Sequence, residues 1–484
     1  SHQHFASCPE VVVHLLAAAR GARYVGGEFG RVQLENNLSH QWQGQDIRIE
    51  CAKQLAELGD AKAEATLART LHDYNYYIRA AAKEALDNAF DWNDATEDHR
   101  LWYRFRTRVW GKATIGTHGE VSVGLNNESR NTVHPDTPFK WDEVIFESAY
   151  VDWKFDSALS MKVGRQNIMK GEGFVLFDGT SGDGSRTAYF NAVDVTYGWS
   201  KSKIELIGIS DPKQDQYLPV FNDKNKYLTE WDEEAVGLYY TNRECPKTAV
   251  DAYGFWKAEK DDYRATTNAQ FQPDRDLGIV GARVVQQLPE GFSLTAEAAG
   301  EWGSQDPKPG TAGPDSDIAA WGGYAYAKKT FPVSWKPSVQ VGWIGMSGDD
   351  PRTSKIEGWD PLFSRWPKWS ELYIYSQVPE KGVAYWTNLS MWQAEVLATP
   401  AKFLALRGTY YYMGAFEPFA GSAKVYGKGK KRGDMLQARA DVTFSSSLKG
   451  HALYEYMKPG DFYVGRDSAY FLRFELIYSF KKIF

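Results

Sequence analysis

The chain is poor in cysteine, carries no excess of positive charge and lacks long apolar runs. Its three cysteines, Cys8, Cys51 and Cys245, lie far apart and form no CxxC or CxxCH spacing, which argues against zinc, haem attachment and thiol redox chemistry. A Cys8–Cys51 disulfide stays open as a reading for an oxidising compartment. Lysine plus arginine number 56 against 62 acidic residues, a net charge of -6, so no global basic field exists to hold nucleic acid. No stretch approaches the roughly 18 apolar residues that a spanning helix needs, which excludes a helical membrane protein. No nucleophile–base pair, phosphate loop or metal set stands out, so the chain reads as a non-enzyme without cofactor or metal. A barrel hydrolase would have to use His451, the one histidine in the later strand-like runs. His2 and His4 read as a frayed terminus. Asp178, Asp183 and the glycines of 179–184 read as an acidic loop whose spacing does not match an EF-hand.

Aromatic residues are what the chain has in quantity: 18 Trp, 28 Tyr and 25 Phe, 15% of the total. They sit in short alternating runs. From Leu101 to Trp110, successive strand side chains point to opposite faces, so Arg104, Arg106 and Arg108 share one face with Trp102 and Trp110. Leu101, Tyr103, Phe105, Thr107 and Val109 form the other. About 17 such runs follow, at 100–113, 118–128, 141–155, 159–169, 187–199, 202–210, 232–243, 248–259, 275–287, 291–303, 317–330, 335–347, 384–398, 402–415, 433–445, 449–458 and 468–481. Short links (198–202, 288–291, 332–335, 399–402) alternate with long ones (170–186, 210–231, 260–274, 347–383, 416–432). In outer-membrane barrels the short turns are periplasmic and the long loops extracellular, which puts the C-terminus in the periplasm. The run at 100–113 then descends, so a rising strand must precede it. Tyr24 to Asn37 is the best candidate despite poor alternation, and it brings the expected fold to an all-β transmembrane barrel of about 18 antiparallel strands.

Residues 1–97 read differently. Helices opening at Asp46-Ile47-Arg48, Ala61 and Asp73, with small alanine positions, resemble HEAT repeats over about two units, fewer than the three that stand alone. The expected organisation is a small α-helical HEAT-like module at 1–97, holding the strand candidate 24–37, and a barrel at 98–484. Phe5-Ala6-Ser7-Cys8 echoes a lipoprotein processing site with no apolar segment before it, and the reading is that a signal peptide has been removed.

One ordered set of residues carries a family resemblance. Ser148-Ala149-Tyr150-Val151-Asp152-Trp153 precedes Leu159 to Val163 and Gly164-Arg165-Gln166; Phe177-Asp178-Gly179, the strand Ala188 to Tyr197 and Asp360-Pro361-Leu362-Phe363 follow. In this order they resemble the alginate-export family of outer-membrane porins. The resemblance covers the barrel and not the helical module. It implies a location in the outer membrane of a Gram-negative-type bacterium and a pore, for an anionic polysaccharide in the type member and for other cargo in relatives.

Alternation also assigns a lumen face. Its cations, Arg104, Arg106, Arg108, Lys162, Arg283, Arg407, Arg439 and Arg473, together with Arg165 of the Gly-Arg-Gln motif, are the candidate track for an anionic polysaccharide or small organic anions, since rings of Arg or Lys select anions. The competing reading pairs them with Asp441, Glu455 and Glu475 as wall struts. Lys424, Lys428, Lys430, Lys431 and Arg432 read as a basic outward loop that touches lipopolysaccharide phosphates or cargo, against a solvated tip. The aromatic stretch 359–375 either folds into the pore mouth or packs on the rim. Expected partners are outer-membrane lipid, lipopolysaccharide and the anionic solute. The rival function is a scaffold whose residues 1–97 recruit a protein partner.

Overall fold

The computed structural model describes residues 92, 100–134, 139–178, 190–213, 216–218, 221, 232–260, 273–307, 313–374, 380, 384–419 and 425–481. The HEAT-like helices, the strand expected at 24–37, the Cys8–Cys51 pair, His2 and His4 lie outside the described residues.

The strands are β1 (Leu101–Ile115), β2 (Gly119–His134), β3 (Lys140–Lys154), β4 (Leu159–Gln166), β5 (Ile168–Met169), β6 (Phe177–Asp178), β7 (Phe190–Trp199), β8 (Ser202–Asp211), β9 (Asp232–Asn242), β10 (Thr248–Lys260), β11 (Arg275–Gln287), β12 (Phe292–Gln305), β13 (Ser316–Thr330), β14 (Ser338–Met346), β15 (Leu389–Ala401), β16 (Leu404–Gly414), β17 (Lys431–Thr443), β18 (Leu448–Pro459) and β19 (Ala469–Tyr478). Seventeen of them form one sheet, and the short β5–β6 hairpin stands apart. Each sheet strand pairs antiparallel with its neighbour in the chain, so every strand is placed by a local connection. Pairing continues in the same way to β19.

Short turns at 116–118, 155–158, 200–201, 243–247, 288–291, 331–337, 402–403 and 444–447 mark one end of the sheet, and the remaining connections, all but 135–139 of them longer, mark the other. Among the described residues the sheet ends at β1 and β19, and both run from the long-loop end to the short-turn end. Their side chains meet: Arg104 Nη2 lies 4.0 Å from Glu475 Oε2, and the Trp102 and Phe471 rings are 6.3 Å apart. Two parallel edges brought this close leave room in an antiparallel closure for one further rising strand.

The outer wall is apolar. In β1 exposure alternates residue by residue from Leu101 to Val109, with Leu101, Tyr103, Phe105 and Val109 outward. In β19 the outward set is Leu472, Phe474, Leu476 and Tyr478. Two aromatic girdles bound this wall. Trp256, Trp302, Trp321, Trp392 and Tyr412 are exposed near the long-loop ends of their strands; Trp199, Phe292, Phe331, Trp335 and Phe403 are exposed at or just beyond the short-turn ends. An apolar band between two aromatic girdles is what a bilayer requires of a barrel, and in-sheet pairing satisfies the backbone.

The buried apolar cluster lies inside the cylinder. Connection 347–388, between β14 and β15, brings Trp359, Leu362, Phe363, Trp369, Tyr373 and Trp386 onto inward residues such as Tyr324 of β13 and Met391 of β15. Phe174, Val175 and Leu176, between β5 and β6, join it, with Phe174 stacked 5.2 Å from Trp359. The described part of the aromatic stretch, 359–374, therefore folds inward as a lumen filling: Trp359 packs on Phe174, Trp366 on Phe177, and Trp369 on Trp386 and Tyr326 of the wall.

Candidate functional site in the lumen

Charge fastens the inward loop to the wall. Glu455 of β18 accepts hydrogen bonds from Ser370 Oγ (2.7 Å), Leu372 N (2.8 Å), Glu371 N (3.2 Å) and Gln437 Nε2 (2.7 Å). On the far wall Asp360 accepts from Arg275 Nη2 at 2.8 Å, and its N–H donates to Glu301 at 3.0 Å. Lys257 Nζ reaches Leu362 O and Glu233, each at 3.0 Å, while Arg275 also pairs with Glu259. Arg473 Nη1 meets Glu371 at 2.5 Å. A buried charge is tolerable only when paired and hydrogen-bonded, and these are.

Arg432 was expected in a basic outward loop. It opens β17 instead and is fully buried, gripping Glu380 through both terminal nitrogens at 2.6 and 2.5 Å and donating to Tyr373 OH at 2.8 Å and Asn388 O at 3.0 Å. Three residues pulled toward one guanidinium outweigh its exposure to solvent. Lys428 and Lys430 of that loop are exposed, and Lys424 lies outside the described residues.

The predicted track residues separate by surroundings. Arg106 pairs with Glu128 at 2.6 Å and Arg108 with Glu147 at 3.2 Å, so with Arg104 the ladder forms cross-strand struts. Arg473 divides itself between Glu371 and His451, whose Nε2 lies 3.1 Å from its Nε. Arg283 is a hub between Asp251 (3.2 Å), Glu172 (3.0 Å) and Tyr324 OH (3.3 Å), joining the wall to the 167–189 connection. Arg165 does not face open lumen. Its guanidinium donates to Asn191 Oδ1 (3.0 Å), Phe146 O (3.2 Å) and Leu218 O (3.3 Å). The cause is Gly164, at φ +121°, where a Cβ would stand 2.2 Å from Ala149 O; the irregular backbone there lets Arg165 and Gln166 both be buried. The Gly-Arg-Gln motif is thus a clamp at the top of β4.

The remaining cations gather at the short-turn end. Lys162 lies 3.9 Å from Asp152, Arg407 3.8 Å from Glu395, and Arg439 grips Asp441 at 2.7 Å. Sequence reasoning missed two more: Lys203, 2.8 Å from Glu205, and Arg243, 2.8 Å from Asp251. In three of these pairs the partners differ sharply in access to water. Side-chain exposure is 42% for Lys203 against 4% for Glu205, 40% for Arg243 against 2% for Asp251, and 47% for Arg407 against 13% for Glu395. The carboxylates are recessed in the wall while the cations project. Among the described residues no group of three His, Cys, Asp or Glu side chains is placed to hold a metal.

The alginate export family pattern matches residues 33–473. The chain belongs to the alginate export family. The match begins inside the stretch expected to stand apart from the family, so the family portion is longer than the barrel expected from residue 98. Membership, with the girdled outer wall, makes the protein an outer-membrane channel of alginate-export type. Solved structures similar to it include Pseudomonas aeruginosa OccD3 (OpdP), at 12% identity over 78% of this chain and 87% of that one, with a TM-score of 0.49. Acinetobacter baumannii OccAB4 is 12% identical over 80% and 94%, with a TM-score of 0.47. Pseudomonas aeruginosa OccK2 (OpdF), solved in complex with glucuronate, is 11% identical over 79% and 98%, with a TM-score of 0.43. Comparison with the curated proteins finds no match.

Proposed function

We propose that this alginate-export channel passes anionic polysaccharide or small organic anions by diffusion, without chemistry, and that its selectivity resides at the periplasmic mouth. One observation carries the reading: Lys203, Arg243 and Arg407 stand in lumen water with their carboxylate partners recessed behind them. Each pair is a dipole with its positive end toward the lumen. Arg439 and Lys162 add charge at the same level. An anion entering there meets cations that need no unpairing, and a cation meets repulsion. The ladder of Arg104, Arg106 and Arg108, whose carboxylates lie alongside, serves as struts.

Reversal potentials under a salt gradient in planar bilayers test this. The wild type should prefer anions. The triple variant Lys203→Ala/Arg243→Ala/Arg407→Ala should lose that preference, and Arg104→Ala/Arg106→Ala/Arg108→Ala should keep most of it. A wild type without anion preference, or a preference indifferent to the first triple variant, overturns the proposal.

A further inference from the structure

Five of the seven methionines form one inward belt on neighbouring strands: Met346 of β14, Met391 of β15, Met413 of β16, Met435 of β17 and Met457 of β18, each 0% exposed. Met391 faces Met413 and Met435 faces Met457 across their strand pairs, while Met346 stands diagonal to Met391 and Met413 diagonal to Met435. Direct and diagonal neighbours are both within reach of a long side chain, so the belt is continuous. A Cβ at Gly433, opposite Met413, would lie 2.6 Å from Met457 Cε, so that methyl group covers the rung where a side chain is missing. All five belong to the buried cluster that holds Trp359, Leu362, Phe363, Trp369, Tyr373 and Trp386 of the inward loop.

The facing wall is of another kind. No methionine occurs between residues 170 and 345, so β7 to β13 have none. Inward there, Tyr239 stacks on Tyr253 at 5.6 Å and Tyr324 on Tyr326 at 4.9 Å, and the hydroxyls of Tyr253 and Tyr324 donate to Glu297 at 3.0 and 2.6 Å. Rings and directed hydrogen bonds hold that half in one arrangement. A methionine side chain is unbranched, turns about three soft bonds and carries a polarisable sulfur, so it fits neighbours of more than one shape. Leucine, of similar volume, is confined to few rotamers and fits one. The docked place of the loop is already fixed by directed contacts, Glu455 with Ser370 and Leu372 and Arg275 with Asp360. Methionines add nothing to that registry. They add contact that survives a displacement.

We propose that the belt is a yielding seat on which the 359–374 segment slides between its docked position and a displaced one that widens the lumen, with the methionines repacking to cover it in both. A belt that only filled space would be served as well by leucine. The inference goes beyond the anion-channel reading and does not depend on it, since a pore of either selectivity needs its lumen cleared.

Two measurements test this. In single-channel recording the wild type should step between a main level and a wider one. The variant Met391→Leu/Met413→Leu/Met435→Leu/Met457→Leu, whose swaps nearly conserve volume, should keep the main level and make such steps about tenfold less often. Steps as frequent in the variant as in the wild type, or a wild-type current with none, overturn the proposal. The second measurement is sulfoxide formation in dilute hydrogen peroxide, followed by mass spectrometry of the protein in liposomes. Met169, 47% exposed, gives the rate of an open thioether. The belt methionines should oxidise as a group, more slowly than Met169, and severalfold faster in Glu455→Ala, whose loop has lost an anchor. Belt methionines still reduced in both proteins once Met169 is fully oxidised overturn the proposal as well, and this readout decides if the leucine variant fails to insert. Failure of the anion-channel reading shows separately, as absent anion preference in the wild-type reversal potential.

Discussion

Removing the Glu455 carboxylate should unfasten the inward loop and make the pore noisier and wider. Glu455 is buried and accepts from Ser370, Glu371 and Leu372 of the loop and from Gln437 of β17. In Glu455→Ala four donors lose their acceptor, at about 1–3 kcal/mol for each one left buried and unsatisfied. Lumen water reaches some of them once the cavity opens, so a total of about 3 kcal/mol is a reasonable expectation, which shifts the docked-to-released ratio more than a hundredfold. The anchors at Arg432–Glu380, Arg432–Tyr373, Arg275–Asp360 and Arg473–Glu371 remain, so release is a partial loosening confined to the segment around 369–372. Single-channel recording reads this directly, as a larger mean conductance with frequent transitions to the wild-type level. Glu395→Ala is the control, because that carboxylate faces Arg407 and Thr409 and its loss should alter selectivity without new transitions. A Glu455→Ala channel that inserts with wild-type conductance and noise would refute the argument that this carboxylate holds the loop.

Three further outcomes follow from other parts of the molecule. Val280, outward at the middle of β11, should tolerate Arg poorly, with a loss of about 2–4 kcal/mol in folding into bilayers, read by urea titration in lipid; a loss under 1 kcal/mol would argue that this face does not meet lipid. Lys368, which donates to Glu172 O at 2.5 Å, has its ammonium pushed down to about 8 by burial, against the partial support of Glu172 and Glu297. The released loop binds that proton up to about 10.5 and the docked loop only to about 8, so docking strengthens as pH rises from 8 to 10.5 and is weakest, and independent of this group, below 8. Current flicker should decline over that range in the wild type and not in Lys368→Met; flicker that grows with pH contradicts the assignment. Gly164→Ala should cost several kcal/mol and slow insertion, measured by heat modifiability on gels, because its Cβ would collide with Ala149 O and no side chain can yield; normal insertion would show that the backbone there relaxes.

The wall was legible because its signal is local and repeats at every second residue. The strand from Leu101 could be read without knowing its neighbours, and each later run fell where the chain next alternated. Arg165 was misplaced because alternation was not applied to it: it stands three residues from Lys162, so strand parity puts the two on opposite faces, and its guanidinium is held by Asn191, Phe146 and Leu218. The loop anchors had no such signal. Glu455 and Ser370 are 85 residues apart, and the pairing of Arg275 with Asp360 spans the same distance, so only the folded barrel brings them together. Lys203 and Arg243 escaped because they sit beside tight turns, where a charged residue reads as solvated surface; a lysine two residues before a strand-embedded glutamate was the one available hint. Whether a lumen cation projects or lies flat depends on how deeply its partner is recessed, which strand alternation does not encode.

The most direct test of the account is flux. Purified protein in liposomes, offered oligogalacturonate and an equally long neutral maltooligosaccharide at low ionic strength, should pass the charged oligomer faster, and the advantage should shrink at about 1 M salt, where the screening length falls to about 3 Å. Equal rates for the two oligomers, or faster passage of the neutral one, would contradict an anion-selective channel.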